Sequence, residues 1–196
     1  MLENMFNTET FVIAILLYLL GSISFAVLSS KIFKTPDPRS FGSNNPGATN
    51  VMRSGNKFAA LFTLAGDMLK GYIPIIYLAN YGIDIHELYL LSFLILIGHC
   101  FPITLKFKGG KGVATSLGIL FALTPIVATL IVVTWLIIYY LFKVSGVSAL
   151  VGFLLLPFFM FLTSSGPYMI MISFANMLFI FLTHKKNIIG FLSNQS

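Results

Sequence analysis

Phe58–Ala79 reads FAALFTLAGDMLKGYIPIIYLA. A helix rises about 1.5 Å per residue, so about 20 mostly apolar residues cross the roughly 30 Å hydrocarbon core of a bilayer. This stretch is long enough to do so, and it carries only two charges, Asp67 and Lys70. Phe11–Ser30 is a second such run, and apolar stretches recur towards the C-terminus in a chain that is 57% hydrophobic and 9% charged. The pattern predicts an all-α polytopic membrane protein, a single domain over residues 1–196 with no soluble part. Phe11–Ser30 does not read as a cleavable signal, because no basic stretch precedes it and its Ser and Gly residues lie inside the run.

Helices are expected at about 11–31, 58–80 and 88–105. Val113–Phe142 reads either as one long helix or as two short ones turning near Thr124-Pro125, and helices at about 148–163 and 167–183 follow. Of the 12 Lys and Arg residues, those outside the spans cluster at Lys31–Lys57, Lys106–Lys111, Lys143 and Lys185–Lys186. Glu3, Glu9, Asp84 and Glu87 lie outside these clusters. Seven spans, with the N-terminus outside and the C-terminus inside, put every Lys and Arg except Lys70 on the cytoplasmic side, as the positive-inside rule favours. A five-span arrangement, with unbroken helices at 113–142 and 148–183, strands only Lys143 outside. The lone Cys100 excludes an internal disulfide, and no metal-ligand spacing occurs.

Two loops hold the scarce polar residues. Lys106–Thr115, KFKGGKGVAT, packs three lysines and three glycines into its first seven residues. Anchoring by positive charge needs no glycine, whereas glycines let backbone N–H groups turn onto an anion. Gly112 leads directly into an apolar helix with Thr115 in its first turn, and a helix N-terminus suits a phosphate. Phe41–Lys57, FGSNNPGATNVMRSGNK, reads as a turn-rich connector, yet is denser in donors than a connector requires. Its Arg53 is able to grip a phosphate bidentately. GxxxxGK[ST] is absent, so the expected anion is a phosphate group without a Walker-type nucleotide loop.

Asp67 and Lys70, three apart, share a helix face and can pair. The ionisable residues inside a span make either a functional site or a structural tie. His99, in GHCFP, is placed to orient a basic loop or to donate to an anion. His184 and Asn187 share a face if the final helix continues through them. No Ser-His-Asp set and no HxxxxD dyad is visible, and Asp37, between two prolines, reads as a turn residue, so base-assisted chemistry lacks its usual groups. The residues alone leave room for an anion transporter or an anionic-lipid-binding protein beside an enzyme. A nucleic-acid partner is not expected, because no soluble basic surface is available to present.

GSNNPGATNVMR (Gly42–Arg53), the Asp67/Lys70 pair with Gly71, GHCFPITLKFKGGKGVAT (Gly98–Thr115) and HKKNI (His184–Ile188) together resemble the bacterial acyl-phosphate:glycerol-3-phosphate acyltransferases, in order and over about residues 20–190. The resemblance implies a seven-helix enzyme of the bacterial inner (cell) membrane with cytoplasmic glycine-rich active-site loops. It implies transfer of an acyl group from acyl phosphate to the 1-hydroxyl of glycerol 3-phosphate, yielding lysophosphatidate and phosphate in phospholipid biosynthesis. No cofactor and no metal are implied. The partners are the two substrates and membrane lipid, and the candidate protein partner is an acyl-phosphate synthase. Carried over by position, Ser43, Arg53, Lys108, His184 and Asn187 are the expected catalytic residues. Asn45, Gly47, Thr49, Asn50, His99, Gly109, Gly110, Lys111, Gly112 and Thr115 are expected to hold phosphate, with Asp67 and Lys70 in support. Two departures show: Asn44 stands where the family usually has glycine, and the tail after Ile188 lacks the usual charged residues.

Overall fold

The computed structural model describes residues 8–193. In chain order the helices are α1 (Thr8–Gly21), α2 (Phe25–Ile32), α3 (Ala48–Met52), α4 (Lys57–Asn80), α5 (Ile85–Cys100), α6 (Val113–Leu123), α7 (Pro125–Phe142), α8 (Ser145–Leu154), α9 (Leu156–Leu162), α10 (Pro167–Thr183) and α11 (Lys185–Ser193). A 3-10 turn, Ile103–Leu105, follows α5. Among the described residues there is no β-strand. The chain divides into two compact units, one up to Leu123 and one from Thr124.

In the first unit, glycines set how closely helices approach. A methyl group on Gly21 of α1 would collide with the Ile95 carbonyl of α5, and one on Gly98 of α5 with the Tyr18 carbonyl of α1. Gly71 of α4 and Gly118 of α6 do the same, facing the Thr115 and Met68 carbonyls. Lipid supplies no hydrophobic drive for helices to associate, so close van der Waals packing through small residues must do so. Leu17, Ile75, Leu78, Leu88, Leu91, Ile95 and Ile119 fill the core between these backbones. A smaller core of Ala26, Val51, Ala59 and Ala60 lies under the Phe41–Lys57 segment.

The first apolar run is not one helix. It breaks after Gly21 and resumes at Phe25, with a bend of 43°. Ser24 caps α2 by accepting from the Val27 N–H. The break leaves carbonyls without intrahelical donors, which is costly inside a bilayer. Two long-range donors supply them: Thr104 Oγ1 donates to the Ser22 carbonyl at 2.6 Å, and Lys70 Nζ to the Ile23 carbonyl at 2.7 Å.

In the second unit α7 packs on α8, with Gly152 set 3.2 Å from the Ile131 side chain as measured from an added methyl. Phe153, Leu156, Met160 and Ile180 are among its fully buried apolar residues. The helices of 113–142 and 148–183 are not continuous. Thr124 leaves the helical region and Pro125 starts α7, and Gly166, at φ +83°, precedes Pro167 at the start of α10. Both prolines sit where a missing N–H costs nothing. The unbroken helices invoked for the five-span arrangement are therefore not formed.

By length and composition four stretches are able to cross a membrane: Lys57–Asn80, Ile85–Leu105, Pro125–Phe142 and Ser145–Leu162. The bent α1–α2 pair makes a fifth. Val113–Leu123 and Pro167–Thr183 are apolar but shorter. At 11 residues, α6 is only about 16 Å long, well short of the hydrocarbon thickness.

Candidate active site

The Gly42–Arg53 segment is built around one buried amide. Asn50, 2% exposed, donates its two side-chain N–H groups to the carbonyls of Pro38 (2.7 Å) and Phe41 (3.1 Å). Its Oδ1 accepts the Ser43 N–H at 3.0 Å. The chain thereby folds back over the start of α3, leaving Ser43 exposed. Gly42 has φ +59°, and a methyl there would strike Asn50 Oδ1 and lie 3.0 Å from Arg53 Nη1. The Arg53 side chain therefore lies over Gly42, beside Ser43. Asn44, the departure from the expected glycine, also has a left-handed backbone, φ +54°. Asparagine tolerates that region better than most residues, so the turn survives the replacement. Asn45 is half-buried with its Nδ2 close to Gly47, and Thr49 is exposed.

Asp37 is engaged elsewhere. Arg39 Nη2 reaches its Oδ2 at 2.6 Å, and Nε its Oδ1 at 3.0 Å. The guanidinium holds this exposed carboxyl below its ordinary range, so Asp37 is a turn residue and a poor proton acceptor.

The glycine loop runs back along the end of α5. Lys106 and Phe107 take left-handed conformations, φ +53° and +61°. Gly109 N–H then donates to the Cys100 carbonyl at 3.0 Å and Gly110 N–H to the His99 carbonyl at 3.1 Å. Gly112, at φ +87°, turns the chain into α6, its carbonyl accepting the Ser116 N–H at 2.8 Å. Lys108 is exposed and Lys111 half-buried. Thr115, in the first turn of α6, is fully buried with its Oγ1 unpartnered.

These two loops meet electrostatically. Burial lowers the pKa of Lys111 from the ordinary lysine value, and the positive charge of Arg53 lowers it further. Two cations from segments far apart in sequence are thus held within mutual influence, which is unfavourable unless an anion comes between them. Arg53, whose side chain lies over Gly42 next to Ser43, is thus also a neighbour of Lys111 within the first unit.

Inside the membrane region, Lys70 Nζ stands 2.8 Å from Asp67 Oδ1, with both side chains buried. His99 Nδ1 lies 3.5 Å from the same oxygen. Neither Oδ1 nor Nδ1 makes a well-aligned hydrogen bond, so the trio is held by close polar contacts, the ion pair on one side and the Asp67 oxygen against the His99 ring on the other.

In the second unit, α10 ends at Thr183 and α11 begins at Lys185, so the helix does not run unbroken through His184. His184 is buried, its Nδ1 2.8 Å from the Ile180 carbonyl. Its own carbonyl accepts the Asn187 N–H at 2.8 Å, so the pair stays adjacent across the break. The Asn187 amide faces Gly146 at the start of α8, 2.9 Å from a methyl placed there.

A family model described as glycerol-3-phosphate acyltransferase matches residues 11–194, nearly the whole chain. This chain belongs to the glycerol-3-phosphate acyltransferase family. It is 42% identical over 186 residues to a glycerol-3-phosphate acyltransferase of Cupriavidus metallidurans, covering 93% of this chain and 92% of the relative. It is 46% identical over 184 residues to that of Nitrosomonas europaea, covering 91% of each. Among solved structures it resembles PlsY (YgiH), an integral membrane glycerol 3-phosphate acyltransferase, in its glycerol 3-phosphate form. That likeness has a TM-score of 0.87 at 32% identity, over 96% of this chain and 94% of the other. The lysophosphatidic acid form gives a TM-score of 0.86 at the same identity and coverage.

Within this acyltransferase-family chain, three expectations change. Asn50 has no side-chain N–H left for a phosphate and instead shapes the loop that presents Ser43 and Arg53. The amides of Gly109 and Gly110 point at α5 carbonyls, so they do not cradle an anion; amides from Gly112 onwards remain the candidates. His99 is 7% exposed and lies against Asp67 and Gly110, which makes it a support for the loop. Two participants were not foreseen: Thr104 and the Ile23 carbonyl. Nothing local marks either, since their partners lie 82 and 47 residues away.

Proposed function

We propose that this chain transfers a fatty acyl group from acyl phosphate to the 1-hydroxyl of glycerol 3-phosphate, releasing 1-acylglycerol 3-phosphate and inorganic phosphate. The observation that carries the reading furthest is that Arg53, which lies over Gly42 beside Ser43, is close enough to Lys111 for the two charges to repel. Both substrates bring phosphate, and a pair of mutually repelling cations is stabilised by it. Family membership supplies the acceptor; the choice of acyl phosphate as donor follows from the motif resemblance.

In this reading Arg53, Lys108 and Lys111 neutralise the two phosphates, and the amides opening α6, with Thr115 beneath them, receive one. Asn45, Gly47 and Thr49 line the approach from the first loop. Ser43 donates a hydrogen bond that places the glycerol hydroxyl. The hydroxyl oxygen attacks the acyl carbon, the bond from that carbon to the phosphate oxygen breaks, and the hydroxyl proton leaves on the departing phosphate. No protein base is required, in keeping with the engagement of Asp37 by Arg39. Acyl phosphate is already activated, so positioning and charge neutralisation supply the rate enhancement. His184 and Asn187 enter as catalytic residues on resemblance alone. The enzyme is read as a seven-span protein of the bacterial inner membrane, its loops facing the cytoplasm and an acyl-phosphate synthase its candidate partner.

The test uses purified protein in detergent with palmitoyl phosphate and radiolabelled glycerol 3-phosphate. Lysophosphatidate should form only with acyl phosphate present, and Arg53→Ala should reduce kcat/KM by about a hundredfold, as expected for loss of a charge-assisted phosphate contact. Absence of product, together with uptake of glycerol 3-phosphate by proteoliposomes, would replace the enzyme with a transporter. A trapped acyl ester on Ser43 would replace direct attack with a covalent route.

A further inference from the structure

The buried trio in the first unit has one neighbour at each end. At one end Lys70 Nζ serves two oxygens, Asp67 Oδ1 at 2.8 Å and the Ile23 carbonyl at 2.7 Å. That carbonyl exists as a free acceptor only because the first span is broken there. At the other end the Nε2 edge of the His99 ring lies against the glycine loop: a methyl on Gly110 would collide with Nε2 and lie 2.8 Å from Cε1. The same loop residue donates its N–H to the His99 carbonyl. Thr104, midway between His99 and the loop, holds the second carbonyl of the break. The break in the first span and the glycine loop are therefore joined twice, once through Lys70, Asp67 and His99, and once through Thr104.

A lone buried ion pair would tie two helices without further consequence, and apolar residues of similar size would do as well. This pair differs in that its acid also faces a histidine whose other edge sets the height of a loop. Only glycine at position 110 permits that approach. Asp67 Oδ1 and His99 Nδ1 are also buried polar atoms without well-directed hydrogen bonds. Such groups are rare where nothing but stability is at stake.

We propose that Asp67, Lys70 and His99 are positioning residues: Lys70, anchored on the Ile23 carbonyl, fixes the Asp67 carboxylate, which holds the His99 ring beneath Gly110 and so sets where Lys108 and Lys111 meet the substrate phosphates. The last step rests on the acyltransferase reading; the linkage from Lys70 to Gly110 does not. None of the three residues touches substrate. They act through the loop.

Two double variants separate this role from a purely structural one. Asp67→Leu with Lys70→Met removes both charges and the acceptor beside His99. Asp67→Asn with Lys70→Met removes the charges but restores an oxygen acceptor there. Both lose the bond to Ile23 equally, so their difference isolates the link to His99. In the Leu/Met protein, hydrogen exchange at the Gly109 and Gly110 amides should accelerate about tenfold, and KM for glycerol 3-phosphate should rise by about the same factor, with the Asn/Met protein recovering part of both and the remainder reflecting the loss of Lys70. Equal behaviour of the two variants would overturn the proposal. Should the Leu/Met protein fail to fold, Gly110→Ala serves instead: the added methyl should disable the wild type but cost far less in a His99→Ser background. Additive effects of those two changes would equally overturn it. Exchange is read without substrate, so a wild type that exchanges as expected but makes no lysophosphatidate would refute the proposed reaction and leave the linkage intact.

Discussion

At the level of single residues, the most informative group is Lys111. Its proton affinity is lowered first by burial and then by Arg53. Without ligand, the charged form is therefore disfavoured in the folded protein relative to the unfolded chain. Lys111 costs folding stability while protonated, and that cost is relieved as pH rises through its lowered folded pKa towards the ordinary lysine value. With Lys111 holding phosphate as proposed, affinity for that phosphate runs the other way, falling as the ammonium deprotonates. KM for glycerol 3-phosphate should accordingly climb on the alkaline side at a lower pH than an ordinary lysine would produce. Lys111→Arg, whose guanidinium stays charged, should push that limb to higher pH; an unmoved limb would assign it to another group. Asn44 offers a simpler case. At φ +54°, Asn44→Gly should be tolerated, while Asn44→Val should destabilise by about 1–2 kcal/mol through left-handed strain. Thermal unfolding in detergent reads both.

The elements depend on approach distances that a side-chain pattern only hints at. The α1–α5 crossing places Gly21 and Gly98 each against the opposite backbone, so Gly98→Ala has no flexible neighbour to displace. It should destabilise by about 1–3 kcal/mol, the usual cost of overpacking, seen as a lower unfolding temperature in detergent. What the sequence reveals follows from where its information lies. The bounds of α4 and α10 are legible because apolar runs and their polar ends are local, and Thr124-Pro125 marks a true helix start. The break at Ser22–Ser24 is not legible, since no proline or charge marks it and the donors that satisfy it, Lys70 and Thr104, come from other segments. The site divides in the same way. Arg53 and Lys111 stand out as cations among small residues in loops, so their chemistry is readable. Asn50 looks the same as any loop asparagine, and its role depends on the Pro38 and Phe41 carbonyls turning back towards it. Gly109 and Gly110 advertise free amides by composition, whereas the structure uses those amides to hold the loop on α5.

For the whole molecule, the open quantity is how many times the chain crosses the bilayer, and charge and helix length pull in different directions. Length supports four spans, or five with the bent first pair. Charge favours seven, because α6 and α10 must then also cross for Lys143 and the C-terminal lysines to return to the cytoplasm. A helix of 11 residues does so only where the bilayer thins or where flanking backbone is buried in protein. The Gly112 turn offers such a flank, being buried and hydrogen-bonded into α6. Single cysteines in a Cys100→Ala background, labelled from either side with an impermeant maleimide, decide the matter. Ser40→Cys and Ser54→Cys should react only from the cytoplasmic side, and Tyr81→Cys only from outside, under either count. Val144→Cys discriminates: exposed in the structure and next to Lys143, it should react from the cytoplasmic side if α6 and α7 each cross. Reaction from outside would mean that α6 and α7 together cross only once, that Lys143 violates the positive-inside rule, and that α6 serves the phosphate site without spanning the membrane.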